Sequence, residues 1–403
     1  MNNVRINDGI FMFTMNLDDI LFESMWELPD GVSMNSYLVK GDKVAIVDGV
    51  IGWDGVPETL YAHLKTMDIT VDDIDYVVVN HMEPDHSGWL ENLKEITTDF
   101  TILVTAKGAQ FISSYYGDAF HIQVVEEGDT VDLGQGKVLS FHPTPNVHWP
   151  ETMLTYEQST QTLFSCDMYG GFGTLQASVF YQELSESDQA HFDYETVRYF
   201  SNVLTTFSPM VKRAIQKTEE LNVNMIAPGH GPVYKDSVNK IIDQYKQYCE
   251  YANGDGDNKI TILVGSMYGV TEKAVAAIES YLSDKDITVS TLKLPYATKS
   301  DVVTEVFTAK GIIVAASTYE YRMFPPVAHA IDECGRKKIT NKKALYFGSY
   351  GWNASAEKDL MGIISNYRMK WTFVDPISFE GAANKETIHK IKSGVDALLE
   401  SMQ

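Results

Sequence analysis

Short apolar runs rich in β-branched and aromatic residues recur up to about residue 250, each closed by a turn former. Gly9–Phe13, Ser36–Val39, Val44–Asp48, Tyr76–Asn80, Thr101–Val104 and Leu163–Asp167 read as strands on this pattern. Apolar positions at helical spacing are sparser there, over 56–66 and from Asp236 to Tyr251. Many early strands with few helices predict sheets sandwiched between helix layers. Residues 253–258 then form a run of turn formers without an apolar side chain, which reads as a domain linker.

Beyond the linker the pattern becomes a regular alternation. Strands are predicted at Lys259–Val264, Thr288–Leu294, Gly311–Ala315, Ala344–Phe347 and Trp371–Val374, with helices at about Glu272–Leu282, Val302–Thr308, Pro325–Cys334, Ala356–Asn366 and Lys385–Ser401. Interleaving of that kind is the pattern of a doubly wound parallel sheet. The expectation is therefore an α/β chain of two domains, 1–252 and 259–403.

The strand Tyr76–Asn80 runs directly into His81-Met82-Glu83-Pro84-Asp85-His86, which puts four potential metal ligands within six positions. Two imidazoles and two carboxylates so close would repel and desolvate one another unless a cation neutralised them. The same residues would also serve as a polar helix cap with two incidental histidines. Further candidates stand alone at strand ends or in turns: His148 in Pro145-Asn146-Val147-His148-Trp149-Pro150, Asp167 after Leu163–Cys166, and His230 in Pro228-Gly229-His230-Gly231.

Composition narrows the chemistry. A net charge of −23, from 55 acidic and 32 basic residues, argues against binding phosphate backbones or an anionic membrane surface. With no signal pattern and no apolar run long enough to span a bilayer, the expected compartment is the cytoplasm. The three cysteines, Cys166, Cys249 and Cys334, form no C-x-x-C pair, so no iron–sulfur cluster or thiolate cage is expected within these residues and any thiolate-based electron carrier is expected to be a separate protein.

The ligand candidates together resemble the metallo-β-lactamase fold, whose metal loop is H-x-H-x-D-H followed by separate His, Asp and His ligands. Glu83 stands where that motif has its second histidine, and a carboxylate there gives a harder site suited to iron or manganese rather than zinc. With this feature and the doubly wound second half, the chain resembles the flavodiiron proteins over essentially its whole length: an αββα metallo-β-lactamase-like sandwich followed by a flavodoxin-like sheet. The resemblance implies two non-haem irons per chain, one among His81, Glu83 and His148, the other between Asp85 and His230, with Asp167 bridging. It leaves His86 open, because the family's histidine at that place is a ligand in some members and swung away in others. The remaining histidines, such as His63, His142 and His191, are expected to be structural or exposed.

In the second half, Ser266-Met267-Tyr268-Gly269-Val270-Thr271 links a strand to a helix, where backbone N–H groups and the helix N-terminus can hold a phosphate. The form resembles the flavodoxin phosphate loop, and an ordinary capped helix is the alternative. Two loops at later strand ends, Thr318-Tyr319-Glu320-Tyr321 and Ser349-Tyr350-Gly351-Trp352-Asn353, offer aromatic faces and donors for a flavin ring. The first departs from the S-P-T and paired-asparagine form common in the family, which bears on the ring contacts and flavin redox potential. The basic cluster Arg336, Lys337, Lys338, Lys342 and Lys343 reads as a solvated loop at the opposite pole.

The resemblance implies a reductase that passes electrons through FMN to the diiron site and reduces O2 to water or NO to N2O. It further implies rubredoxin or another small redox carrier as donor, and a head-to-tail homodimer or dimer of dimers. Trp149 and Tyr194 flank the ligand regions as candidates for substrate selectivity. Two other functions fit the same motifs, a zinc-dependent hydrolase with a fused flavodoxin-like domain and a non-catalytic electron-transfer flavoprotein.

Overall fold

The structure is a computed structural model and describes residues 2–49 and 58–403. The chain divides into two compact units, Met1–Lys246 and Gln247–Gln403, the division falling inside the helix Val238–Ala252. Of the helix expected over 56–66, Glu58–Thr66 is seen, its first two positions lying outside the described residues.

The first unit contains a seven-stranded and a five-stranded sheet. In the larger, Asn2–Asn7, Ile10–Leu17, Val32–Lys40 and Val44–Val47 pair antiparallel in that order, and Ile74–Val78, Thr101–Val104 and His121–Val124 continue it in parallel. The smaller runs Thr130–Gly134, Lys137–Pro143, Met153–Glu157, Thr162–Cys166 and Met225–Pro228, with only the last pair parallel. The sheets meet where the Tyr37 ring packs 5.2 Å from that of Phe164 and its hydroxyl donates to the Pro228 carbonyl at 2.7 Å. Each such buried aromatic stabilises the sandwich by about 1.5–3 kcal/mol. Strands covered on both faces, such as Thr162–Cys166, are buried at every position and mostly apolar, so they read as runs rather than alternations.

Strand polarity brings the candidate ligands to one edge. His81, Asp167 and His230 each follow the C-terminal end of a strand, Ile74–Val78, Thr162–Cys166 and Met225–Pro228. Met153–Glu157 runs antiparallel to Thr162–Cys166, so the loop before it delivers His148 to the same edge.

In the second unit, Asp257–Gly265 pairs in parallel with Thr288–Lys293 on one side and Ala309–Ala316 on the other. Lys343–Tyr350 follows, and both Thr372–Phe373 and Ile377–Glu380 pair in parallel with it. In chain order this is 2-1-3-4-5, the flavodoxin-like winding. Ile262, Val264, Ile313, Leu345 and Phe347 of the sheet form one core with Ala274 and Ile278 of the helix Val270–Leu282 and Ile391, Val395 and Leu398 of Lys385–Ser401. The strand expected at Trp371–Val374 is only Thr372–Phe373. Pairing resumes at Ile377 after Pro376, which has no N–H to offer a ladder.

Lys342 corrects the solvated-loop reading of the basic cluster. It is fully buried, its Nζ donating to the carbonyls of Phe307 at 2.7 Å and Asp255 at 2.8 Å. Burial lowers its pKa to about 7 against the opposing pull of Asp255 and Asp257. With Asn341 Nδ2 donating to the Asn253 carbonyl, it ties the turn run at 253–256 onto the sheet of this unit. Among the described residues no helix is long and apolar enough to cross a membrane.

Candidate functional site

All seven sequence-identified ligand candidates converge at the shared strand edge of the first unit. Six are buried, and the Glu83 side chain is 16% exposed. They form two groups, His81, Glu83, His148 and Asp167 in one and Asp85, His86 and His230 in the other, with donor atoms inside each group within 4.8 Å of one another. Glu83 Oε2 lies 3.2 Å from His81 Nε2 and 2.9 Å from His148 Nε2. Asp85 Oδ2 lies 3.4 Å from His230 Nε2 and 3.6 Å from His86 Nε2. Asp167 stands between the groups with one oxygen toward each. Its Oδ2 faces His81 and His148 at 3.3 and 3.2 Å, and its Oδ1 faces His86 and His230 at 3.0 and 3.4 Å. The ring left open by the sequence, His86, therefore lies in the second group, its centroid 4.9 Å from that of His230.

The electrostatics of this arrangement call for cations. Burial alone pushes the four imidazoles down, but the surrounding carboxylates outweigh it. Asp167, Glu151 and Glu83 hold His81 at about 10, Asp167 and Asp85 hold His230 at about 10, and His86 and His148 stand at about 9. Against the burial penalty, His148 and His81 draw Glu83 down to about 2, and His86 and His81 keep Asp167 well below the usual carboxylate range. Without metal, the carboxylates are thus balanced by imidazolium protons, the charges that metal ions replace on binding. Both Asp85 oxygens, Asp167 Oδ2 and His230 Nε2 are buried without a hydrogen-bond partner, so the donor set fits a pair of hard cations. Cys166 also approaches His86 and Asp167, but burial and the nearby Asp48 push its thiol up, leaving it a protonated and poor ligand.

Several supporting residues were not read from the sequence. Glu151 Oε1 meets His81 Nδ1 at 2.7 Å and accepts the Met82 amide at 2.9 Å. Asp48 accepts from the backbone and side-chain nitrogens of Asn80 at 2.8 and 3.0 Å. The available signal was that Glu151 shares a turn with His148, but its partner lies seventy positions away. Of the two selectivity candidates, Trp149 stands edge-on to His81 at 5.1 Å and lines a hollow of about 400 Å³ with Phe22, Glu23, Ser24, Pro84 and the ligand candidates Glu83 and Asp85. Tyr194 instead lies under the Arg198 guanidinium, and it is Tyr199 whose ring comes within 5.6 Å of His230. Among the other histidines, His63 stacks on Phe13 and His142 binds Glu127. His191 comes near Asp30 and Glu195, but Glu195 is already tied to Arg198 at 3.0 Å.

In the second unit, the three predicted loops close around one cleft of about 540 Å³ at the C-terminal edge of the sheet. Ser266, Met267, Tyr268 and Val270 line it from the first loop, Thr318, Tyr319, Glu320 and Tyr321 from the second, and Ser349, Tyr350, Gly351, Trp352 and Asn353 from the third. Gly269 and Thr271 do not line it. Gly269 caps the helix Val270–Leu282 with a φ of 75°, and buried Thr271 joins its Oγ1 to Ser349 Oγ at 2.9 Å, tying the first loop to the third. Ser317 and Gly381 complete the wall, Gly381 following the unexpected strand Ile377–Glu380. The departure from the family form at 317–322 is a hairpin of Thr318–Tyr319 and Arg322–Met323, turned by Glu320 and Tyr321, both at positive φ. The cleft fits a phosphate-bearing aromatic ligand. A helix N-terminus opens beside it, Trp352 and Tyr321 line it with exposed rings, and Ser317 Oγ is buried without a partner.

Comparison with known proteins agrees with this architecture. A family model described as ODP family beta lactamase matches residues 32–231. The anaerobic nitric oxide reductase flavorubredoxin of Vibrio vulnificus is 34% identical over 82% of this chain, which spans 66% of that relative, just under two thirds of its length. Its counterpart in Klebsiella pneumoniae is 33% identical over 81% of this chain and 67% of its own. A flavo di-iron protein variant from Thermotoga maritima superposes with a TM-score of 0.88 at 28% identity, covering 100% of this chain and 98% of that one. The donor atoms, the 2-1-3-4-5 sheet and these likenesses over most of the chain converge, and the chain belongs to the flavodiiron protein family.

Proposed function

We propose that this chain is a flavodiiron reductase of O2, NO or both, holding two non-haem irons in the first unit and FMN in the second. The observation that carries the reading is Asp167, whose two oxygens face two matched donor groups. His81, Glu83 and His148 would hold one iron and Asp85, His86 and His230 the other, with Asp167 placed to serve both through its two oxygens. When bound, the irons supply Lewis-acid sites and electrons for a diatomic oxidant, and FMN delivers electrons one at a time.

The chain's own residues bind, orient and screen. Glu83 adds an anionic oxygen where an imidazole would favour zinc. The hollow beside Glu83 and Asp85 has room for a diatomic and is walled in part by the apolar side chains of Phe22, Trp149 and Pro84. In the second unit the Ser266–Val270 turn takes the phosphate at the helix N-terminus, and Trp352, Tyr321 and Tyr268 offer faces to the ring. Electrons arrive from a rubredoxin or another small carrier in the cytoplasm, and a head-to-tail second copy brings flavin and diiron centre together.

The test is anaerobic reduction of purified protein followed by separate O2 and NO consumption rates, with iron and FMN quantified on the same sample. Two irons, one FMN and turnover of either gas, lost in His148→Ala with FMN retained, support the proposal. Two zinc ions with ester or lactam hydrolysis would replace it by the hydrolase reading, and metal with flavin but no gas turnover by the electron-transfer reading.

A further inference from the structure

We propose that Glu151 is the positioning residue of the metal centre, acting through His81 and making the two metal positions electronically unequal. The inference rests on the metal reading above and concerns a residue outside the donor set.

The geometry fixes the proton. Glu151 Oε1 accepts the Met82 amide at 2.9 Å, and an amide nitrogen can only donate, so this oxygen is an acceptor. The proton in its 2.7 Å contact with His81 must then sit on His81 Nδ1. The proton that a metal would displace is then the one on Nε2, whose lone pair it would take on the side of Glu83 and Asp167. Glu151 is itself held, since it is 2% exposed and its carbonyl accepts from Thr105 Oγ1 at 2.8 Å. Trp149 edge-on at 5.1 Å blocks rotation of the His81 ring from another side.

The second group is supported differently. His230 Nδ1 donates to the Ser33 carbonyl at 3.0 Å, a neutral acceptor. The buried Asp48 interacts electrostatically with His86, but its oxygens are hydrogen-bonded to Asn80 rather than to a ring nitrogen. Each group otherwise has one carboxylate of its own and one oxygen of Asp167, so their formal charge is matched. The asymmetry is that only the first group has a carboxylate, Glu151, in hydrogen-bond contact with the outer ring nitrogen of a donor imidazole, where His230 has a carbonyl. A carboxylate behind a coordinated imidazole strengthens it as a donor and favours the more oxidised metal.

The experiment is anaerobic loading of wild type, Glu151→Gln and Glu151→Ala with isotopically enriched Fe(II), followed by Mössbauer spectra, chelator competition and redox titration. Gln retains an oxygen to accept both bonds and puts its NH2 where Oε2 has no partner, so it removes charge with little change of shape. Glu151→Gln is expected to keep both irons, shift one of two quadrupole doublets and raise one of the diiron midpoint potentials. Glu151→Ala is expected to bind one of its irons about 10–100-fold more weakly, with circular dichroism unchanged. Variants with wild-type spectra, potentials and affinity would overturn the proposal, as would both doublets shifting equally. Should Glu151→Ala fail to fold, Glu151→Gln alone decides. A wild type that binds no iron would overturn the metal reading itself, and this inference with it.

Discussion

Metal uptake by this protein should expel protons, and the structure says how many. In the metal-free site His81 and His230 stand at about 10, and His86 and His148 at about 9. At about pH 7.5 all four are almost wholly protonated, since that pH lies more than about one unit below each of these values. A ring nitrogen must lose its proton before it can bind a metal. Filling both positions therefore releases as many as four protons per chain, or three if His86 stays out. Glu83 at about 2 and Asp167, lower than usual, are already ionised and release none. Each released proton makes apparent affinity rise by a factor of ten per pH unit, about 1.4 kcal/mol. The sign for stability is opposite. The folded imidazoles bind protons that the unfolded chain gives up near 6.5, so their stabilisation is complete below about 6.5 and lost as pH rises through 9–10. The assay adds Mn(II) or Fe(II) anaerobically to metal-free protein in weak buffer and counts protons with an indicator dye, alongside melting scans from pH 6.5 to 10. Three to four protons per chain and a melting temperature of the metal-free form that falls with pH are expected. Release of fewer than one proton, or a melting temperature rising across that window, would refute the electrostatic account.

Three substitutions test other parts of the argument. A Cβ at Gly229 would sit 2.7 Å from His86 Cε1 and 3.3 Å from the Cys166 carbonyl carbon, so Gly229→Ala should displace His86 and lower occupancy of one metal position, read by iron stoichiometry; full occupancy with an unchanged spectrum would contradict the place given to His86. A Cβ at Gly348 would lie 1.9 Å from the Ala316 carbonyl oxygen, beneath two of the cleft loops, so Gly348→Ala should lose FMN affinity at least tenfold by flavin fluorescence while the iron content holds. Burial lowers the Lys342 ammonium to about 7, so the unfolded chain binds the extra proton up to about 10.4 and stability of the second unit should rise with pH across that interval. Lys342→Met should flatten this slope in urea titrations at a series of pH values; an unchanged slope would mean that another group sets it.

Much of this protein is legible without coordinates because two of its signals are local. The candidate ligands His81, Glu83, Asp85 and His86 fall within six positions on one strand-to-helix exit, a density of imidazoles and carboxylates that points to a bound cation before any distant partner is known. The second unit is readable because parallel strands covered on both faces must be apolar throughout, and helices must separate them. What remained hidden depends on chain segments that meet only after folding. The spacing of His148, Asp167 and His230 carries no distance, and only strand polarity brings the Asp167 oxygens between two groups. Lys342 sits in a run of cations that reads as solvated, yet two carbonyls from distant segments enclose it. Glu151 and His81 are joined across seventy residues by one oxygen. Residue type and local order pointed to the candidate donors, to a cation among them and to a doubly wound second sheet. Tertiary structure alone decided that His86 joins the second group and which buried groups hold the donors, because hydrogen bonding and desolvation depend on distances that the chain acquires only when its two sheets close on each other.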